Sequence, residues 1–300
     1  MINQVLRLHE TSIVRHIDDF VKKDKLKPEN GGSVSCLTAE QTSQVVSHIS
    51  EHTYCHAHQI SEYIWEACEI RFCVSGLNKW LQQQDFSYKQ PKGVPHKFCP
   101  STQDEFIAKY ELLKAEMAKN DVLLFMDAVH PTQATKVTCG WIRTGVDKVI
   151  ETTGSRTRVN IVGAIRLGYL EDTLTQQYEK TVNGDSIIDF FTHIKEKYKD
   201  KNVINLVLDG AGYHRKKEVV DKAKELGIVL HYLPSYSPNL NPIERLWKVM
   251  NEHARNNKYF ATAKEFRQSL NHFFDSTLPT IGASLSGRIN DNFQKLYPAT

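Results

Sequence analysis

Residues 203–253, VINLVLDGAGYHRKKEVVDKAKELGIVLHYLPSYSPNLNPIERLWKVMNEH, decide how this chain folds. Ile204, Leu206, Val207 and Leu208 make a short apolar run bounded by Asp209-Gly210, the pattern of a strand buried on both faces. Asp209 then falls at the strand's C-terminal end, where a side chain can point out of the sheet edge. His214 to Leu226 reads as a helix stopped by Gly227, and Ile228 to Leu233 as a second apolar strand. Pro234, Ser235, Ser237, Pro238, Asn239, Asn241 and Pro242 enforce a rigid turn. Pro242 sits where a first helical turn tolerates proline, so Glu244 lies in the opening turn of the next helix.

Upstream, Val122-Leu123-Leu124-Phe125-Met126 is a matching strand that also ends in a carboxylate, Asp127. Two acids at strand ends and one at a helix start can converge although they are far apart in the chain. Carboxylates held together repel unless cations sit among them. An all-oxygen donor set favours Mg²⁺ or Mn²⁺. Two such ions about 3.5–4 Å apart suit phosphodiester chemistry, activating a water or hydroxyl and stabilising the leaving oxygen.

The blocks LDGAGYH (208–214), LPSYSPNLNPIERLWK (233–248) and LLFMDAVHP (123–131) resemble the catalytic signature of DDE transposases of the mariner superfamily, nearest its bacterial insertion-sequence branch. Between Asp209 and Glu244 lie 34 residues, a spacing found in that superfamily. The proline-rich block is the specific part; a lone Asp-Gly-Ala would not be. The resemblance runs from roughly Val5 to Phe274. It implies an α/β fold: a ribonuclease-H-like catalytic domain preceded by all-α helix-turn-helix units. It also implies that Asp127, Asp209 and Glu244 are catalytic and hold two Mg²⁺ (or Mn²⁺) ions per active site. The expected activity is cut-and-paste transposition, with metal-dependent cleavage at element ends and strand transfer into target DNA. The expected partners are double-stranded DNA, as terminal inverted repeats and a TA-containing target, and a second copy of the chain in a paired-end homodimer. His130 and His214 are supporting candidates, since imidazole matches Mg²⁺ poorly as a ligand. Related sequences often carry Asn after the second Asp; Gly210 stands here instead. Two rival readings are a catalytically idle, domesticated DNA-binding protein or repressor, and a structure-selective nuclease or resolvase of the same fold.

Three hundred residues, 40% hydrophobic and 24% charged, suit a soluble globular protein of two domains or of one domain with an appendage. No apolar run of about 18 residues reads as a transmembrane helix, so no membrane partner is expected. Residues 1–10 lack a secretory pattern, and a cytoplasmic, nucleoid-associated location is expected. The six scattered cysteines fit reduced thiols. The net charge is only +3, and through Lys92 ten basic residues face eleven acidic ones. Bulk charge therefore neither supports nor excludes a nucleic-acid partner, and any DNA contact must come from local clusters.

The domain reading takes 1–27 as a helix-turn-helix unit, 34–88 as a second, 89–103 as a basic linker and 104–300 as the catalytic domain. In the first, Val5 and Leu8, then Ile13, Val14, Ile17, Phe20 and Val21, have helical spacing in two segments split at His9-Glu10. Thr11, Ser12, Arg15 and His16 are groove-facing candidates, with an amphipathic hairpin as the plain alternative. A preceding support helix is missing, which reads as truncation or as a cover supplied elsewhere. Lys22, Lys23, Lys25 and Lys27 lead into a polar linker that follows a phosphate backbone or is simply solvated. In the second unit Thr38 and Gln41 form a capping box. Val45, Val46 and Ile49, then Ile60, Tyr63, Ile64 and Ala67, then Leu77, Trp80 and Leu81 point inward, while Ser75, Asn78 and Lys79 face out as DNA-reading candidates. The segment VSGLNKWLQQQDFSYKQP is similar to the second helix-turn-helix of the same transposases. Cys55, His56, His58, Cys68 and Cys73 fit no standard zinc spacing, leaving buried thiols and surface histidines.

Lys89, Lys92, His96 and Lys97 surround a Pro/Gly boundary that lies along DNA or is a plain linker. Ser101 to Asn120 reads as one helix. Strands are expected within Val137 to Ile150 and, in alternating form, from Val159 to Ile165; a helix is expected from Ile187 to Tyr198 and another from Ala261 to Leu278. Arg143, Lys148, Arg156, Arg158, Arg215, Lys216, Lys217, Arg245 and Lys248 are the phosphate-contact candidates near the site.

Overall fold

A computed structural model describes residues 9–24, 35–91, 93, 97 and 99–296. The chain divides into two compact units, Met1–Pro91 and Lys92–Thr300.

The first unit is helical: α1 (Glu10–Lys23), α2 (Ala39–Glu51), α3 (Ala57–Cys68) and α4 (Val74–Gln83). The Thr38–Gln41 capping box starts α2, with both reciprocal hydrogen bonds formed. Leu37, Val45, Ile49, Ile64, Leu77 and Trp80 make its core, with Ile60, Tyr63 and Leu81 packed against it. Ala67 is exposed rather than inward, because the inward stripe of α3 runs from Ile64 to Cys68 in its last turn and leaves Ala67 to one side. The helix α1 buries none of its residues. The segment holding Val5 and Leu8, and Lys25, Lys27, Lys92 and His96, lie outside the described residues. Cys55 and Cys73 are exposed and Cys68 only partly covered, contrary to the expectation of buried thiols. Cys73 is the N-cap of α4, where its Sγ accepts from the Gly76 amide at a solvent-facing helix end.

The second unit holds a five-stranded sheet: β1 (Val122–Val129), β2 (Asn160–Ile165), β3 (Leu174–Tyr178), β4 (Ile204–Leu208) and β5 (Ile228–Tyr232), ordered β3-β2-β1-β4-β5. The first three form an antiparallel meander, and β4 and β5 add in parallel. The helices are α5 (Pro100–Glu116), α6 (Gly184–Lys197), α7 (Lys217–Glu225), α8 (Ile243–Ala254), α9 (Ala263–His272) and α10 (Leu278–Ile281). This is the expected mixed sheet of a ribonuclease-H-like domain.

Side chains of a strand alternate between faces, and each face here has its own core. Phe125, Ile161, Ile165 and Val207 pack with α5, α8 and α9 residues such as Phe106, Leu246, Met250 and Phe266. Leu124, Met126, Val162, Ala164, Leu206 and Leu208 pack with α6 and α7 residues such as Ile187, Phe191 and Val219. Covered on both sides, β2 is buried at every position instead of alternating. The third meander strand is β3, LTQQY, not a segment of 137–150. As an edge strand it needs no apolar second face, so its polar sequence hid it. The stretch 137–150 forms no strand and leaves Val137, Trp141, Ile142, Val146 and Val149 exposed. The helix expected to reach Asn120 ends at Glu116, and that expected to begin at His214 starts at Lys217 after a 3-10 turn, Gly212–Arg215. The last expected helix is interrupted by a π-turn, Phe273–Thr277, with Phe273 buried and Phe274 half-buried against the same core.

Candidate active site

Strand parity brings the acids together. Asp127 shares the face of Phe125, and Asp209, one step past β4, continues the parity of Val207; that face is the one α8 covers. Asp127 lies inside β1, two residues short of its end, and does not close the strand as the apolar run suggested. It stands beyond Phe125, the last β1 residue paired with β4, so its side chain is at the open edge of the parallel pair. The turn after β5 carries the chain over this edge, and Glu244 occupies the first turn of α8.

Asp127, Asp209 and Glu244 line one cleft of about 330 Å³, together with Gly210, Ala211 and the loop 233–238. Asn241, also on its wall, is buried; its amide donates to the Met126 carbonyl at 3.3 Å, and its Oδ1 has no hydrogen-bond partner.

The three carboxyls are not equivalent. Burial lifts that of Asp127 to about 7, and the neighbouring Glu244 charge adds to this against the opposing hydrogen bond from Trp247. Glu244 is also raised by burial; Lys248 offsets part of this and Asp209 adds to it. Asp209 is held below the usual range, chiefly by its hydrogen bond from His214. That imidazole is 1% exposed, and its Nδ1 donates to Asp209 Oδ1 at 2.7 Å. The Ala211 amide donates to the same oxygen at 3.2 Å, and the Tyr232 hydroxyl donates to the His214 carbonyl at 3.0 Å. Tyr213 is pushed up to about 12 by burial and by the charges of Asp209 and Asp127.

The donor set fits hard divalent cations: three carboxylates, two of them raised by crowding and burial, and an unpaired buried amide oxygen, all of them oxygen. Among the described residues, no three His, Cys, Asp or Glu side chains already stand in a ligating cluster. Asp127 and Asp209 are instead each engaged by a protein donor, Trp247 and His214.

His130 does not line the cleft; it is exposed and pairs through Nδ1 with Asn160 Oδ1 at 2.9 Å. Arg215 is exposed and stacks 4.5 Å over Tyr232. Arg156 and Arg158 are exposed, and Arg158 donates to Thr181 Oγ1 at 2.9 Å. Arg245 is not available as a phosphate contact. Its guanidinium donates to the Asn290 carbonyl at 2.9 Å and the Asn292 carbonyl at 3.1 Å, tying α8 to the C-terminal segment. In the helical unit Thr11, Arg15, His16, Ser75, Asn78, Lys79 and Lys89 are exposed, and Ser12 is partly covered. Lys22 and Lys23 pair with Asp18 and Asp19 at 3.2 and 3.8 Å. Two site residues escaped the sequence reading, Asn241 and Trp247. The signal was present: both lie three positions from Glu244, a spacing that puts Trp247 on the same helix face.

Residues 122–267 match the family described as DDE superfamily endonuclease, and residues 51–110 match winged helix-turn helix. The insertion element IS630 uncharacterized 39 kDa protein of Shigella sonnei is 23% identical over 212 residues. That match covers 69% of this chain and 60% of the relative, so the chain spans less than two thirds of that protein's length. Among solved structures, the Mos1 transposase paired-end complex with left transposon end superposes with a TM-score of 0.61 at 12% identity, covering 96% of this chain and 90% of that one. The mariner Mos1 paired end complex with Mg gives 0.61 at 14% identity, with 95% and 88% covered, and the complex with Mn 0.60 at 12%, with 98% and 96% covered. At these identities the likeness is one of fold. Among the described residues no helix is long and apolar enough to cross a membrane.

Proposed function

We propose that this chain is a DNA transposase of the mariner-type branch of the DDE superfamily, whose endonuclease model matches residues 122–267, cutting phosphodiester bonds at the ends of a mobile element and joining the freed 3′-hydroxyls to target DNA. The observation that carries this reading is the single cleft lined by Asp127, Asp209 and Glu244, contributed by two neighbouring strands and the helix over them. Mg²⁺ or Mn²⁺, two ions per site, would supply the activated water and neutralise the leaving oxygen. Asp127, Asp209 and Glu244 would hold them, with Asn241 Oδ1 a neutral oxygen on the same wall. His214 keeps Asp209 ionised and fixed in orientation through the 2.7 Å contact. Arg215, Arg156 and Arg158 are exposed cations suited to phosphate, and Ser75, Asn78 and Lys79 on α4 are the outward side chains suited to a DNA groove. A paired-end homodimer, a TA-containing target and a cut-and-paste course complete the reading.

Asp209→Asn tests it. The variant should retain binding to the element's terminal repeats and lose Mg²⁺-dependent cleavage of them; retained cleavage would sink the assignment. An idle DNA-binding protein is the rival, favoured by the hydrogen bonds that already engage Asp127 and Asp209. An excision assay on a plasmid bearing the flanking repeats separates the two, since only the enzyme releases the element.

A further inference from the structure

Trp247 lies one helical turn after Glu244 on α8, on the same face. Its indole is 3% exposed, and Nε1–H donates to Asp127 Oδ2 at 2.9 Å. A buried indole N–H needs an acceptor; this one takes a carboxylate of the cleft. The ring has a fitted seat. Opposite Asp127 in the β1–β2 register stands Gly163. A Cβ there would fall 2.6 Å from Trp247 Cη2 and 3.3 Å from Cζ2, so any larger residue displaces the ring. The φ of Gly163 is not positive, so the glycine is there for space and not for backbone conformation. Phe274 meets the ring edge-on at 6.4 Å and closes the seat.

Two acids from different elements must keep a fixed separation to share an ion, and long-range packing alone leaves tolerance in it. A hydrogen bond from the Glu244 helix turn to Asp127 removes that tolerance, because one rigid turn then carries Glu244 and locates Asp127. We propose that Trp247 is a positioning residue: seated over Gly163, it fixes one Asp127 oxygen and so sets the other, with Glu244, to receive a divalent cation. This rests on the carboxylate-site reading above. Partners that orient metal ligands from behind typically contribute 10–100-fold to metal affinity.

The test is titration of the full chain with Mn²⁺ alone, followed by the electron paramagnetic resonance signal of free Mn²⁺. Wild type, Trp247→Phe, Gly163→Ala and Asp209→Asn would be compared, with melting in EDTA and repeat-DNA binding as folding controls. A fifth protein carries 3-benzothienylalanine at position 247, which keeps the bicyclic ring and lacks only the N–H, so the question survives if Trp247→Phe does not fold. Trp247→Phe and the benzothienyl protein should bind Mn²⁺ 10–100-fold more weakly with DNA binding unchanged, and Gly163→Ala should follow them. Unchanged Mn²⁺ affinity in the benzothienyl protein overturns the positioning role and leaves the carboxylate site standing. A wild type that takes up no Mn²⁺, or Asp209→Asn binding it as well as wild type, overturns both.

Discussion

Asp127→Asn should make the metal-free protein more stable, by an amount that grows with pH. The fold raises this carboxyl from its ordinary 3.8 to about 7. Between those values the native state holds a proton that the unfolded chain has released, so stability is full below pH 4 and is lost as pH rises towards 7. Linkage puts the cost of ionising Asp127 at under about 1 kcal/mol at pH 4, about 2 at pH 5 and about 4 at pH 8. Asparagine removes the charge and keeps an oxygen for the Trp247 N–H, so the variant should recover most of this. At roughly 2–4 °C per kcal/mol for a domain of this size, the melting temperature at pH 8 should rise by about 5–15 °C. Parallel chemical denaturation in EDTA from pH 4 to 8 gives the difference between variant and wild type, in which titrating groups remote from the cleft cancel. A difference that stays flat with pH, or an Asp127→Asn protein no more stable than wild type at pH 8, refutes the reasoning. The same substitution should cost the protein its Mn²⁺ affinity, as expected where a site's charge is kept for function against stability.

Three further outcomes are expected. His214→Ala removes a buried imidazole and the charge-assisted bond to Asp209, so the melting temperature should fall by the equivalent of about 2–4 kcal/mol and the Asp209 carboxyl, followed by NMR, should move up. Thr38→Ala breaks the capping box of α2 and should destabilise the helical unit by about 1 kcal/mol in denaturant titration. If α4 meets the DNA backbone, Lys79→Ala should reduce the slope of log affinity against log salt by about 1 for every sequence tested, whereas an unchanged slope removes Lys79 from the interface.

Residues 203–253 are legible because each step has a local cause. The buried strand shows in its apolar run, the turn in its prolines, and the start of α8 in Pro242. The three acids could be picked out for the same reason, each standing where one pattern stops and another begins. Strand β3 was not legible, because an edge strand with one covered face carries Thr and Gln as readily as Val. Nor could the sequence tell that Arg245 is spent on the Asn290 and Asn292 carbonyls rather than left for phosphate. Local order along the polymer sets element type within residues 203–253 and makes Asp127, Asp209 and Glu244 the candidate acids. The pairing of Asp127 with Gly163, the indole seated over that glycine and the burial that lifts the Asp127 carboxyl to about 7 come from register and packing. Those arise between segments more than 30 residues apart, and no short-range periodicity encodes which of them will touch.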